Sequence, residues 1–198
     1  TLVNGQGGEY PASLRAVERR RVTVQIERFD PIERESPLAV TLAQCVSKGD
    51  RMDWAIQKAV ELGVQRIVPV LSERSVVKLN AERWDKKCEH WRGVVISACE
   101  QSGRTRIPEL TDAAELGAYL ASETAQQRWV LAPGADQALP TDGTIPSIAL
   151  LIGPEGGLSE RDLQAADTAG FQRLALGPRI LRTETAAAAA LTAVQLRY

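Results

Sequence analysis

The chain has 198 residues, of which 44% are apolar, and its 25 acidic residues nearly balance 24 basic ones, so that the net charge is −1. This length and apolar content suffice for a substantial buried core. The balanced charge excludes a chain-wide basic surface for nucleic acid, and any affinity for RNA must come from a local patch.

The first thirty residues contain two short alternating stretches, 10–17 and 21–26, which are typical of half-exposed strands. They are too few for a stable β-domain of their own. Five arginines make this piece basic, which fits contacts with phosphates, although a solvated strand face explains them equally well. They are Arg15, Arg19, Arg20, Arg21 and Arg28, and the first four are the candidate RNA contacts.

A main domain of alternating strands and helices follows. Residues 29–37 carry two prolines and four charges and predict a linker, so that the main domain begins near Leu38. Strands and helices alternating at these lengths imply an α/β fold with a mainly parallel sheet covered on both faces, and a long loop over 133–146. The predicted elements are strands over 38–45, 67–71 and 129–132, and helices over 52–62, 81–101 and 111–125.

Two strand–loop–helix units with glycine-rich loops end the chain. In the first, a strand over 148–152 leads through Gly153-Pro154-Glu155-Gly156-Gly157 into a helix over 160–169, which Ser159 caps with Asp162 completing a capping box. In the second, a strand over 171–176 turns at Gly177-Pro178, and Thr183 opens a final helix with a capping hydroxyl.

The two glycine loops predict a small-molecule site, because loops that leave the carboxyl ends of parallel strands open on one edge of the sheet. Neither G-x-G-x-x-G nor Gly-Lys-Ser/Thr is present, and Glu155 stands where an anion would sit. The loops therefore suit a neutral or cationic ligand better than a phosphate. The alternative is that the glycines only make tight turns.

Both loop segments, IGPEGGLSERDL and LALGPRILRTETAAAAAL, closely resemble signatures of the SPOUT methyltransferases that methylate N3 of a uridine in 16S ribosomal RNA, the RsmE type. The upstream segments QCVSKGDRMDWAIQKAVELGVQRIVPVLSERSVVKL and EQSGRTRIPEL resemble two further signatures in the same order. The resemblance extends from Leu38 to the C-terminus and, more loosely, to NGQGGEY near the start.

This resemblance implies a SPOUT-type α/β-knot domain over 38–198, whose C-terminal stretch forms a trefoil knot, and a partial PUA-like RNA-binding β-domain over 1–33. The NGQGGEY segment falls inside that β-domain in the family, so we expect its first strands to lie outside this sequence. The family also implies a homodimer, in which two subunits complete the RNA site, and 16S rRNA or the small ribosomal subunit as partner.

The implied cofactor is S-adenosylmethionine, held by backbone groups of the glycine loops and by an apolar wall. The family's contacts, carried over by motif position, fall on Leu151, Gly153, Glu155, Gly156, Leu176, Gly177, Ile180, Leu181, Arg182 and Thr185. For the three apolar residues of the second loop, ordinary core packing is the alternative and is compatible with lining a pocket.

Methylation of uridine N3 requires loss of its proton and stabilisation of the resulting anion. Arg182 and Arg104 are the candidate guanidinium groups, and a structural or phosphate-binding role is the alternative for each. Glu184 is a candidate proton acceptor, although complementing the helix dipole is the favoured interpretation. The sole histidine, His90, is interpreted as a packing or surface residue, and no firm general base emerges.

The remaining expectations concern the cysteines, the cellular location and the alternative functions. Cys45, Cys88 and Cys99 are far apart without Cys-x-x-Cys spacing, which predicts reduced core thiols and no metal site. No run approaches a membrane span and no charged-then-apolar leader precedes Gly5, which predicts a cytoplasmic protein without membrane contact. Two alternatives to the proposed enzyme stay open: a non-catalytic RNA-binding or ligand-sensing protein on this scaffold, and a SPOUT methyltransferase with another RNA target.

Overall fold

The computed structural model describes residues 1–75, 81–135 and 147–196. Its N-terminal part is an antiparallel hairpin of β1 (Ala12–Val17) and β2 (Val22–Ile26), as the alternating pattern predicts. The hairpin is largely exposed, and Arg19 and Arg20 lie at its turn. Arg15 and Arg21 are exposed as well, so all four predicted RNA contacts are accessible, while their role stays a prediction.

A seven-stranded sheet with only parallel pairings among the described residues forms the main body. The strand order is β5-β4-β3-β8-β7-β9, and β6 also pairs with β4. The strands are β3 (Ala39–Cys45), β4 (Arg66–Leu71), β5 (Glu109–Leu110), β6 (Ala114–Glu115), β7 (Gln127–Leu131), β8 (Ser147–Ile152) and β9 (Gln172–Leu174). The chain winds outward from β3 to β5 and then restarts on the other side of β3, which places a topological switch point beside the central strands.

Helices cover both faces of the sheet, as the predicted α/β architecture requires. Helices α1 (Asp50–Glu61), α2 (Ala81–Ser102) and α5 (Thr183–Gln195) belong to one face, and α3 (Leu116–Ser122) and α4 (Glu160–Thr168) to the other. Strand β8 shows the consequence for packing: Ile148, Leu150 and Ile152 enter the first apolar cluster, while Ala149 and Leu151 enter the second. A strand buried on both faces explains why this segment is apolar throughout.

The helix predicted over 111–125 is wrong in extent. The chain first adds the short strands β5 and β6 to the edge of β4, and only then forms the seven-residue α3. The amide of Thr111 donates to the carbonyl of Ile67 (3.0 Å), so the backbone at the start of the predicted helix pairs with β4 instead.

The predicted capping box of α4 is confirmed, since the Ser159 hydroxyl accepts from the Asp162 amide and the Asp162 carboxylate accepts from the Ser159 amide, both at 3.1 Å. The predicted cap of the last helix is wrong. Arg182 is the N-cap residue of α5 and its side chain makes no capping bond, while the Thr183 hydroxyl is used elsewhere.

The predicted linker has no helix or strand, and its acidic residues bind the segment that follows α2. Glu33 pairs with Arg106 at 2.8 Å, and Glu35 pairs with the buried Arg104. The main chain adds two bonds in the same region, from Gly7 to Thr105 (2.9 Å) and from Ile107 to Gly5 (3.1 Å). A division into domains at 33 and 38 stays a prediction.

All three cysteines are buried and free, as their spacing predicts. Within the described ranges, no group of three or more His, Cys, Asp or Glu side chains could hold a metal ion. None of the helices in the part of the chain described here is long and apolar enough to cross a membrane.

Candidate active site

The two glycine loops converge at the carboxyl edge of the sheet, as their positions after β8 and β9 predict. Together with the end of β7 they enclose a pocket of about 500 Å³. Its wall is largely apolar, with Leu131, Leu174, Leu176, Ile180 and Leu181 among the lining residues. Ile180 is 83% exposed, so a large apolar side chain stands at the pocket with little protein covering it.

The first glycine loop needs glycine at two positions for its own conformation. A Cβ at Gly153 would lie 3.1 Å from the Leu158 amide nitrogen, which is too close for an unstrained loop. Gly157 has φ +67°, a conformation that L residues rarely adopt. At Gly156, by contrast, a Cβ would meet only Arg74 atoms at 3.8 Å, so the absence of a side chain there is not required by the fold.

The start of α5 is tied to the first glycine loop through Thr183. Its hydroxyl donates to the Gly153 carbonyl (2.6 Å) and accepts from the Gln44 side-chain amide (2.9 Å). Gln44 is fully buried in β3 and also donates to the Cys45 carbonyl at 3.1 Å. One threonine therefore joins β3, the loop after β8 and the last helix.

Glu155 belongs to a charge-assisted contact with the β3–α1 region. Its carboxylate accepts from the Lys48 amide (2.9 Å) and from the Arg51 guanidinium (3.0 Å). Partial burial works to raise the pKa of Glu155, but hydrogen bonds from its own amide, from the Lys48 amide and from Arg51 outweigh burial and hold that pKa below its usual value. The carboxylate is thus ionised and anchors the loop.

Glu184 lines the pocket from the first turn of α5. Its Oε2 atom is buried and has no hydrogen-bond partner among the described residues. A buried carboxylate oxygen without a partner is costly, so its position in a pocket wall favours a ligand that carries a donor or a positive charge.

Arg182 is exposed at the N-cap of α5 and also lines the pocket. Within the described part of the chain it forms no ion pair with Glu155, whose carboxylate binds Arg51 and the Lys48 amide instead. A cation at a helix N-terminus is unfavourable, so its place at this end of α5 works against the stability of the helix.

Arg104, the other candidate guanidinium, lies away from this pocket. It is 7% exposed, pairs with Glu35 in a two-pronged contact, and donates to the Val60 and Val64 carbonyls at 3.0 and 2.7 Å. Its guanidinium group therefore hydrogen-bonds carbonyls at the C-terminal end of α1 and binds the linker through Glu35. These contacts favour the structural alternative over stabilisation of a uridine anion.

Most of the predicted site residues meet at the pocket, but Leu151 and Thr185, like Arg104, do not line it. The side chain of Leu151 points into the core beneath α3 and α4, because strand residues alternate between the two faces of the sheet. Thr185 is exposed and does not line the pocket, because helical rotation turns it away from Thr183 and Glu184. The predicted residues that do line it are Gly153, Glu155, Gly156, Leu176, Gly177, Ile180, Leu181, Arg182 and Glu184.

The sequence interpretation missed several cationic residues at this site, namely Arg51, Arg74 and Arg179. Arg74 donates to the Gly156 carbonyl at 2.9 Å and so braces the first glycine loop. It follows β4 by three positions, and the rule that carboxyl-end loops share one edge applies to β4 as well as to β8. That rule was a usable signal for Arg74, whereas Arg51 lies in a helix and carried none.

Comparison with known proteins places the chain in a family. Residues 34–195 match the model of the RNA methyltransferase domain. The chain is 40% identical to ribosomal RNA small subunit methyltransferase E of Buchnera aphidicola over 168 residues, which are 83% of this chain and 68% of the relative. It is 33% identical to the protein of the same name from Bacillus subtilis, over 95% of this chain and 77% of the relative.

Solved structures agree with this match. A Legionella pneumophila protein in complex with bound S-adenosylmethionine superposes with a TM-score of 0.93 at 40% identity, over 98% of this chain and 81% of the other. Ribosomal RNA small subunit methyltransferase E from Neisseria gonorrhoeae, bound to S-adenosylmethionine, gives a TM-score of 0.89 at 39% identity and the same coverage. The chain therefore belongs to the RNA methyltransferase family, among the proteins named ribosomal RNA small subunit methyltransferase E.

Proposed function

We propose that this protein transfers a methyl group from S-adenosylmethionine to N3 of a uridine in 16S ribosomal RNA of the small subunit. The observation that carries the proposal is the pocket between the two glycine loops, in a chain whose two structural relatives above were solved with S-adenosylmethionine bound. The choice of N3 of uridine rests on the motif resemblance.

The pocket fits this cofactor in size and chemistry. Its volume of about 500 Å³ lies within the range of small-molecule sites. Leu176 and Leu181 supply apolar surface for a nucleoside, and the buried oxygen of Glu184 suits a positively charged ligand. When bound, S-adenosylmethionine supplies an electrophilic methyl group on a positively charged sulfur.

The chain's own residues would position and stabilise the reactants. The Thr183 bridge and the Arg74 contact hold the first glycine loop in place, which orients whatever lies between the loops. Arg182, exposed at the pocket, would donate to a uridine carbonyl oxygen as negative charge grows there. The apolar wall would exclude water, which strengthens such charge interactions.

The proposal also includes the C-terminal knot, the N-terminal RNA-binding domain, the homodimer and the cellular location. The motif pair supports a C-terminal trefoil knot, and the exposed basic hairpin supports a partial PUA-like RNA-binding domain. A homodimer would cover two large apolar side chains that stand exposed, Ile180 at 83% and Leu196 at 82%. A ribosomal substrate implies the cytoplasm as the place of action.

The proposal is tested by cofactor binding and by mapping methylation. A ligand at about 100 times its Kd stabilises the native state by about 2.7 kcal/mol, so S-adenosylmethionine should raise the melting temperature, whereas ATP and NAD at equal concentration should not. Small subunits from cells lacking the protein should then gain one N3-methyluridine when incubated with protein and cofactor. Cofactor binding without any methyl transfer would favour the non-catalytic alternative, and methylation of another RNA would favour a different target.

A further inference from the structure

A second groove, of about 450 Å³, lies beside the pocket described above. One wall is the β3–α1 loop, residues 47–49, and the other is the N-terminal half of α2, with Arg83, Lys86, Lys87 and His90. No carboxylate occurs among the described residues that line this basic groove. Neither the motif signatures nor the predicted RNA contacts on the N-terminal hairpin involve its α2 wall.

The helix presents Arg83, Lys86, Lys87 and His90 as one continuous strip. Positions 83, 86, 87 and 90 are separated by three, one and three residues, which places them on one side of an α-helix. The neighbouring side, with Cys88 and Trp91, is buried against the core and fixes the rotation of the helix. The strip is therefore held towards the groove by packing.

Acidic neighbours neutralise only part of this strip. Glu82 pairs with Lys86 at 2.8 Å, and both side chains are mostly exposed. Asp53 contributes one oxygen to His90 (2.6 Å) and the other to the Trp91 indole (3.0 Å). Of the groove's lysines, Lys86 therefore adds least to its positive potential.

Two cations on opposite walls keep their charge available to a ligand. The Lys87 ammonium lies 5.1 Å from the centre of the Trp91 ring, a contact that places it without neutralising it. The Lys48 side chain is exposed on the facing loop. A positive potential in the groove follows from these two residues, since no carboxylate pairs with either side chain among the described residues.

The basic groove is continuous with the candidate active site through Glu155. The Lys48 amide donates to that carboxylate, and Arg51, in the first turn of α1, binds the same oxygen while also lining the pocket. A polymer that occupied the groove would thus reach the mouth of the pocket. A single small anion would gain nothing from this continuity.

We propose that the basic groove binds backbone phosphates of the RNA strand next to the nucleotide that enters the pocket, an inference that rests on the proposed function. The strip from Arg83 to His90 is about 10 Å long, since each helical residue adds about 1.5 Å, and this length allows contact with more than one backbone phosphate of a strand. Phosphate contacts carry no sequence information, so the groove positions the strand and leaves the choice of nucleotide to other contacts.

The test measures RNA affinity as a function of salt. Lys48→Gln and Lys87→Gln, singly and together, are compared with Arg161→Gln, which removes one exposed positive charge from α4 on the other face of the sheet. The probe is 16S rRNA from cells lacking the protein, with binding measured in KCl from about 50 to about 200 mM. Each groove variant should reduce the slope of log K against log salt by about 0.7 to 0.9, while Arg161→Gln leaves it at the wild-type value.

The affinity for S-adenosylmethionine and the melting temperature should stay at wild-type values in all of these variants, and Lys87→Arg should restore the slope. If the wild-type protein binds and methylates the RNA but both groove variants keep the wild-type slope, the groove does not bind phosphates. The proposed function would then still stand. If the groove variants lose affinity for intact small subunits but not for bare 16S rRNA, the groove binds a ribosomal protein. That result would also overturn the proposal. A wild-type protein that binds S-adenosylmethionine but no RNA would overturn both.

Discussion

Replacing Thr183 by valine tests whether the bridge between β3, the first glycine loop and α5 holds the candidate active site together. Valine has nearly the same shape, so the change removes a hydroxyl without opening a cavity. The Gly153 carbonyl loses its donor at 2.6 Å, and the Gln44 amide loses its acceptor at 2.9 Å. Both losses occur at a residue that is 6% exposed.

The expected loss of stability follows from which groups remain paired. Gln44 keeps its bond to the Cys45 carbonyl, but its second amide N–H is left buried and unpaired, whereas the Gly153 carbonyl borders the pocket and can reach water there. An unpaired buried polar group costs about 1 to 3 kcal/mol, so we expect a decrease of about 2 kcal/mol in the free energy of unfolding. In a chain of this size that corresponds to a melting temperature about 4 to 8 °C lower.

Cofactor affinity should fall in the same variant, because the loop that frames the pocket loses its anchor. A loss of about 1.4 kcal/mol in loop positioning would weaken binding of S-adenosylmethionine about tenfold by calorimetry. Thr183→Ser keeps the hydroxyl and should retain both properties. Thr192→Val is the matched control, since its hydroxyl bonds the Ala188 carbonyl (2.9 Å) on the exposed side of the same helix. If Thr183→Val is as stable as Thr192→Val and binds the cofactor normally, the bridge has no such role.

Four further predictions concern single residues of the site and its surroundings. Gly156→Val should fold normally, because a Cβ there meets only ordinary contacts, but should bind S-adenosylmethionine at least about tenfold more weakly in calorimetry; undiminished affinity would place the cofactor elsewhere. Arg104→Met should lower the free energy of unfolding by about 3 kcal/mol because it leaves a largely buried carboxylate unpaired, whereas Arg106→Met, at an exposed pair, should cost less than about 1 kcal/mol. Arg182→Ala should keep the wild-type melting temperature but lose about 10²- to 10³-fold in single-turnover methyl transfer; the reverse pattern would make Arg182 structural. Because the pKa of Glu155 is lowered in the folded state, its stabilisation should be fully present above the ordinary carboxyl pKa and be lost as the pH falls through the lowered folded value. Denaturant titrations of wild type and Glu155→Gln should therefore differ by a constant amount near neutral pH and converge in acid, and a difference that persists unchanged in strong acid would contradict the contacts with Arg51 and the Lys48 amide.

Local signals in the sequence predicted the elements that depend on local contacts. The capping box of Ser159 and Asp162 joins residues three apart, and the strand over 148–152 is set by its own apolar run. The helix predicted over 111–125 failed because β5 and β6 pair with β4, which lies far earlier in the chain. A periodic pattern cannot report such a partner.

The same limit applies to Thr183. A hydroxyl at a helix start predicts a cap, and the structure instead pairs it with Gln44, 139 positions away, and with Gly153. Most of the residues that the motif resemblance marked line one pocket, while their contacts with a cofactor stay a prediction. The resemblance did not specify which of them contact a ligand and which hold the loops, because both requirements select the same short stretch.

Arg182 and Arg104 show how the fold separates two residues that the sequence presented as equivalent candidates. Arg104 has its charge neutralised by Glu35 and donates further bonds to two helix-end carbonyls, so its guanidinium serves the fold. Arg182 stands exposed at the N-cap of α5, where a cation costs about 0.3 to 1 kcal/mol. The Thr183 hydroxyl is committed to Gly153 and the N-cap side chain makes no capping bond, so among the groups that could offset this cost the helix start has only the Glu184 carboxylate of its first turn within the described residues. An anionic substrate at the pocket would offset the cost of the Arg182 charge at this position. Uridine becomes such an anion when its N3 loses a proton for methylation.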